Sequence, residues 1–152
     1  MHPPRNQSWF TQHVIAHVAV AFALSYVIGF EREFRGAPAG DRTFALVGTG
    51  AAAMTAVLIG PAPNAIAGVI TGVGFIGAGL LFRGTAGMLK GMTSAATIFA
   101  VCAIGVVAGS GHLLLALEVF GLVIIDLELR QLPLLKHFDA RRYTRDDDDM
   151  MK

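Results

Sequence analysis

Charge is scarce in this chain and unevenly placed. Of its 152 residues, 15% are Asp, Glu, Lys or Arg, against about 25% in ordinary soluble domains. Three stretches, Asn6 to Phe30, Thr43 to Phe82 and Gly91 to Leu117, contain none at all. With 54% hydrophobic residues and a mean hydropathy of +0.59, the composition excludes an ordinary soluble domain. Cysteine is limited to Cys102, so no disulfide forms within the chain and no redox compartment is indicated. A basic face interleaved with aromatics is missing, which excludes nucleic acid as a partner. Neither a nucleophile–base pair nor zinc-type spacing occurs, and the histidines His13, His17 and His112 are isolated, so no catalysis and no cofactor are expected.

What is present is long apolar runs, each suited to a bilayer that needs about 20 residues per crossing. The uncharged run 43–82 is about twice one crossing, and "GPAPN" (60–64) breaks it into a hairpin. The expected fold is all-α, an integral membrane bundle of five transmembrane helices over residues 1–130, with spans at about 13–30, 43–60, 64–82, 93–109 and 112–129. The first span is longer than a usual signal core and more spans follow it, so it is read as retained. Residues 131–152 are read as a short cytoplasmic tail without a soluble carboxyl-terminal domain.

Basic residues alternate between the connections. The amino terminus has Arg5, the first loop Arg32, Arg35 and Arg42, the third loop Arg83 and Lys90, and the tail six more, whereas the second and fourth loops have none. The positive-inside tendency places the amino terminus outside and the carboxyl terminus in the cytoplasm.

The stretch "GVGFIGAG" (72–79) reads as G-x-G-x-x-G, a nucleotide fingerprint. That fingerprint needs an acidic residue about 20 positions later, yet after Asp41 the next carboxylate is Glu118. Small residues instead repeat at helical spacing: Gly48, Ala52 and Ala56 on the second span, Gly68 and Gly72 on the third, Gly105 and Gly109 on the fourth. In lipid, small residues let helix backbones approach closely. Gly72, Gly74, Gly77 and Gly79 are expected to serve that packing, or to mark a helix broken beside a polar cavity.

At these residues the chain resembles the MgtC/SapB family. One motif stands as "GFEREFRGAPAGDRTFALVGTGAA" (29–52), with Gly-x-Glu-Arg-Glu-x-x-Gly followed by Ala-Gly-x-Arg-Thr, and a second as "GVGFIGAGLLFRGTAGMLKGMTSAATIFAVCAIGVVAG" (72–109). Phe99 stands where the family pattern leads one to expect tryptophan. The resemblance implies a multi-pass protein of the bacterial inner membrane associated with adaptation to low magnesium and, in intracellular pathogens, with virulence. It leaves open whether such proteins carry the ion or regulate other membrane machinery. A homo-oligomer or another membrane protein is the candidate partner beside the lipid bilayer, with magnesium a further candidate ligand.

The candidate functional residues lie in two places. The first loop gathers Glu31, Arg32, Glu33, Arg35, Asp41, Arg42 and Thr43 at a membrane boundary. It is either a charged anchoring turn or a polar cluster folded against the bundle, with Arg42 paired to Glu31 or Glu33 and Asp41 capping the next helix. Glu118 lies within the fifth span, where an ionised carboxylate is costly unless paired, wetted or protonated. It is expected to face the bundle interior or another protomer, and Asp126, two turns on, to border the same path. Magnesium favours oxygen ligands, but no residue set identifies a metal site. The four aspartates Asp146–Asp149 read as a solvated run. The loops 35–43 and 83–93 share an Arg-Gly opening and a closing Thr, either because inner loops favour Arg and turns favour Gly, or because spans one and two and spans three and four are copies of one hairpin, which would set Gly48 facing the small residues near Ala96.

Overall fold

In a computed structural model of the chain, residues 7–83 and 89–129 are described, with side chains for 12–81 and 90–129. Arg5 and the tail, including Asp146–Asp149, lie outside them. The elements are α1 (Gln7–Phe34), α2 (Asp41–Leu58), α3 (Ala65–Gly79), α4 (Met92–Gly109) and α5 (Leu113–Leu129). A two-residue antiparallel ladder pairs β1 (Phe82–Arg83) with β2 (Leu89–Lys90), Phe82 opposite Lys90.

The five helices fall at the five expected spans, with shifted ends. Helix α1 runs past Phe30 to Phe34 because Glu and Arg end an apolar run without ending a helix. It stops at a Schellman turn: Gly36 has φ +66, its N–H donates to the Glu33 carbonyl, and the Ala37 N–H reaches the Arg32 carbonyl. The same device ends α4 at Gly111, φ +90, with the His112 N–H on the Val107 carbonyl. Among the described residues two helices, α1 and α4, are long and apolar enough to cross a membrane. Helix α2 opens with Asp41 and Arg42, α3 has 15 residues and α5 has 17.

Helix α2 packs most extensively on α1 and α4; α3 and α5 flank α4. Small residues make this core possible. A side chain on Gly105 would strike the Gly48 carbonyl and come within 2.8 Å of the Ala51 Cβ. One on Gly109 would meet the Ala52 backbone at 2.9 Å, and one on Gly48 would meet the Ser25 Cβ at 2.7 Å. Ala52 is fully buried and Ala56 half-buried beside them. Thr49 and Thr97 hydroxyls donate to the carbonyls of Ala45 and Thr93 in their own helices, which satisfies them without water.

The glycines of α3 behave differently from the expectation. Only Gly77 rests on a neighbour, Ala95, at ordinary contact distance; Gly68, Gly72, Gly74 and Gly79 have nothing near the place a Cβ would take. The helix is also unbroken through 72–79, since glycine lowers helix propensity without removing the N–H that proline would. These four residues therefore make no close helix contact, and Gly68 and Gly72 border an open cleft beside α2. The expected hairpin pairing fails too: Gly48 meets Ser25, Val101 and Gly105, while Ala96 is exposed. Large apolar side chains cover the outer surface, among them Ile15, Phe22, Phe75, Leu114 and Leu122, with Phe75 83% exposed. An apolar exterior of this extent is that of a protein covered by something other than water.

Candidate functional site

The first loop is a polar cluster docked on the bundle. Gly29 brings α1 and α2 together there, since a Cβ on it would lie 2.6 Å from the Asp41 Cα and 2.9 Å from the Phe44 Cβ. Gly40 plays the same part for Glu33, whose carboxylate lies where a Cβ would be. Glu33 accepts from the Asp41 N–H at 3.0 Å, so the helix start is capped by a carboxylate from α1 and not by Asp41. Asp41 instead accepts from the Arg42 N–H at 2.6 Å. Glu33, Gly40, Asp41, Arg42 and Thr43 line a recess of about 560 Å3.

The ion pairs differ from those expected. Glu31, its side chain 13% exposed, pairs with Arg35 one turn on and lies 3.7 Å from Arg32. Arg35 also donates to Glu128 of α5 at 2.6 Å, tying the loop to the far end of the chain. The Arg42 guanidinium, expected on Glu31 or Glu33, forms no ion pair among the described residues. The reason is competition: Arg35, just past the end of α1, lies one turn on from Glu31 at i, i+4, and the helix amide already holds Glu33.

Electrostatics follow this wiring. Burial pushes the Asp41 carboxyl up, but hydrogen bonds from the Arg42 N–H and the Tyr26 hydroxyl, with the Arg42 charge, outweigh it and hold it below the ordinary value. Its contribution to stability is therefore complete above the ordinary aspartate range and lost as pH falls through the lowered value. The hydrogen bond to Glu128 raises Arg35 further above its already high value.

The acids of α5 do not share a path. Asp126 lines a cleft of about 290 Å3 between α4 and α5 with Thr93 and Thr97. Glu118 is exposed. At roughly 100° per residue it points about 160–180° away from the buried Ala116 and Leu127. The interior position expected for it is thus excluded, because the small and apolar residues of α5 take the face toward α4. Among the described residues no three His, Cys, Asp or Glu side chains converge as metal ligands.

The profile of the MgtC family matches residues 18–133, which include the loop cluster, Glu118 and Asp126. The chain belongs to the MgtC family. It is 35% identical over 136 residues to Protein MgtC of Brucella abortus, covering 86% of this chain and 57% of that protein. Protein MgtC of Salmonella typhimurium is 40% identical over 103 residues, 64% of this chain and 44% of that one. An uncharacterized protein of Haemophilus influenzae is 31% identical over 146 residues, 87% of this chain and 60% of that one. The chain spans about half the length of the curated relatives it matches. No solved structure matches it. MgtC-family membership and the two long apolar helices are consistent with a membrane protein.

Reading the MgtC-family motif by residue type missed two participants. Glu128 lies 93 residues from Arg35, and Tyr26 reaches Asp41 from within the apolar run. Three acidic residues balance three basic ones in the loop, so its composition gives no sign of a distant acid. A double-mutant cycle on Arg35→Ala and Glu128→Ala tests the tie: the two destabilisations, read from detergent unfolding, should not add. Additivity would mean that the contact is an incidental surface pair.

Proposed function

We propose that this chain crosses the bacterial inner membrane five times, amino terminus outside and carboxyl terminus in the cytoplasm, and assists adaptation to low magnesium by docking onto other membrane machinery and regulating it, without catalysis of its own. Family membership supports the magnesium association. Helices of 17 and 18 residues reach about 26–27 Å and come close to the hydrocarbon thickness; α3 gains reach from the turns at either end. The carrying observation is the placement of Glu118, an acid about a third of the way along an apolar helix and turned away from its own bundle. In hydrocarbon such a group calls for a polar partner from another protein. The interior fits docking better than conduction: the buried polar side chains among the described residues are Ser25, Thr55, Ser94 and Thr97, none of them charged.

A cation transporter is the rival reading, favoured by Asp126 beside Thr93 and Thr97. Magnesium entry into proteoliposomes separates the two. With a magnesium gradient, the full chain should give no more entry than protein-free vesicles. Glu118→Leu should leave the bundle at least as stable, since it removes a polar group from a lipid-facing surface, yet abolish rescue of growth at low magnesium. Gradient-driven entry lost in Asp126→Asn would sink the docking reading.

A further inference from the structure

Between α2 and α3 runs an apolar cleft of about 550 Å3, within the range of small-molecule sites. Its α2 wall is Leu46, Gly50, Met54 and Leu58, and Gly68 and Gly72 open its α3 wall. The cleft exists because side chains are missing: a Cβ on Gly50, Gly68 or Gly72 would meet nothing within 4 Å. From Leu46 to Leu58 the wall is roughly 18 Å long, close to the depth of one leaflet, about half of the 30 Å hydrocarbon core.

Arg42 stands at the head of this line. Arg42 precedes Leu46 by four residues and so lies one turn above it, about 40° round on the same side of α2. Helical side chains lean toward the amino end, which carries the exposed Arg42 guanidinium beyond the apolar wall to headgroup level. The guanidinium has no ion pair among the described residues. Its acidic neighbours Glu33 and Asp41 are engaged by backbone N–H groups. The first turn of α2 adds its positive dipole end.

From this juxtaposition we infer that the α2–α3 cleft is an anionic-phospholipid site: one acyl chain lies along Leu46, Gly50 and Met54, and Arg42 meets the headgroup phosphate. A partner helix would fill the cleft equally well but gives Arg42 no role; the charge decides for lipid. The site lies in the leaflet next to the α1–α2 loop whichever way the protein faces. It rests on the membrane reading above and on no particular partner.

The test uses the full chain in phosphatidylcholine vesicles carrying trace spin-labelled phosphatidylglycerol or spin-labelled phosphatidylcholine, with the immobilised lipid fraction read by electron spin resonance. Phosphatidylglycerol should be preferred about fivefold, the factor one surface cation contributes against an anionic headgroup. Arg42→Gln should bring the preference to near parity, Arg42→Lys should restore most of it, and Lys90→Gln should leave it intact. Gly72→Leu should reduce the preferred component with Arg42 still present. A preference unchanged in Arg42→Gln, or lost equally in Lys90→Gln, would overturn the site while leaving the membrane reading standing. Efficient disulfide-linked dimers of Gly72→Cys, with no headgroup preference, would assign the cleft to a second copy. Failure of the chain to incorporate into vesicles would overturn both.

Discussion

Gly105→Leu is expected to destabilise the bundle by about 3 kcal/mol or more, the upper end of overpacking costs, whereas Gly74→Leu is expected to change it by less than about 0.5 kcal/mol. The two substitutions are chemically identical and both improve helix propensity. They differ in what the new side chain meets. At Gly105 it meets backbone, the Gly48 carbonyl and the Ala52 nitrogen, with the Ala51 Cβ at 2.8 Å. Backbone cannot swing aside as a long side chain can, so α2 and α4 must part along their length. That separation also loses the packing of Gly109 on Ala52 one turn away. In a bilayer lost packing is not recovered by burial elsewhere, because dispersion contacts and not water exclusion hold the helices together. At Gly74 the new side chain enters open space on the outer face of α3, where leucine suits lipid. Unfolding monitored by helicity in mixed micelles, with both variants at equal detergent ratio, measures the difference. Equal costs would mean that the α2–α4 contact is looser than its geometry, and that the stripe from Gly48 to Gly109 is compositional.

The repeat of small residues every four positions marks α2 and α4 as closely packed helices, because close backbone approach leaves its trace in sequence, but it does not pair them with each other. It fails for α3. Gly68 and Gly72 carry the same spacing but border an open cleft without touching α2, and a one-dimensional pattern does not say which face of a helix is occupied. The same limit explains Glu118, whose depth followed from the hydropathy run and whose direction did not. In the loop, residue types identified the cluster, and the partners depended on geometry. Arg42 was matched with Glu31 or Glu33 by proximity in sequence, whereas Arg35 reaches both Glu31 and Glu128. A contact that joins α1 to α5 has no local signature in either segment. The charged end of α1 reads as loop in the sequence because hydropathy, not helix propensity, sets the boundary there.

Phe44→Ala is expected to cost about 3 kcal/mol, and Phe44→Leu about 1 kcal/mol. Phe44 has no exposed surface and is the largest fully buried side chain among the described residues; its Cβ lies against Gly29. Phenylalanine truncation in soluble cores costs about 3–5 kcal/mol, part of which is transfer from water. Here the unfolded reference also keeps the ring near lipid, so the lower end of that range applies, and the remaining cost is the cavity and its lost dispersion contacts. The position gives the loss a second consequence. Phe44 lies one turn inside the corner where Glu33 caps α2 through the Asp41 N–H, and collapse of the Phe44 site would let α1 and α2 shift against each other at Gly29. The Asp41 amide should then exchange with solvent faster, and protease should cut the 35–40 connection more readily, at conditions where the helices remain folded. Phe44→Leu, which refills most of the volume, should restore protection before it restores full stability. If Phe44→Ala lowers stability but leaves the Asp41 amide protected, the corner is held by Glu33, Glu31 and Arg35 alone, and the polar cluster is the cause of the close α1–α2 contact and not its product.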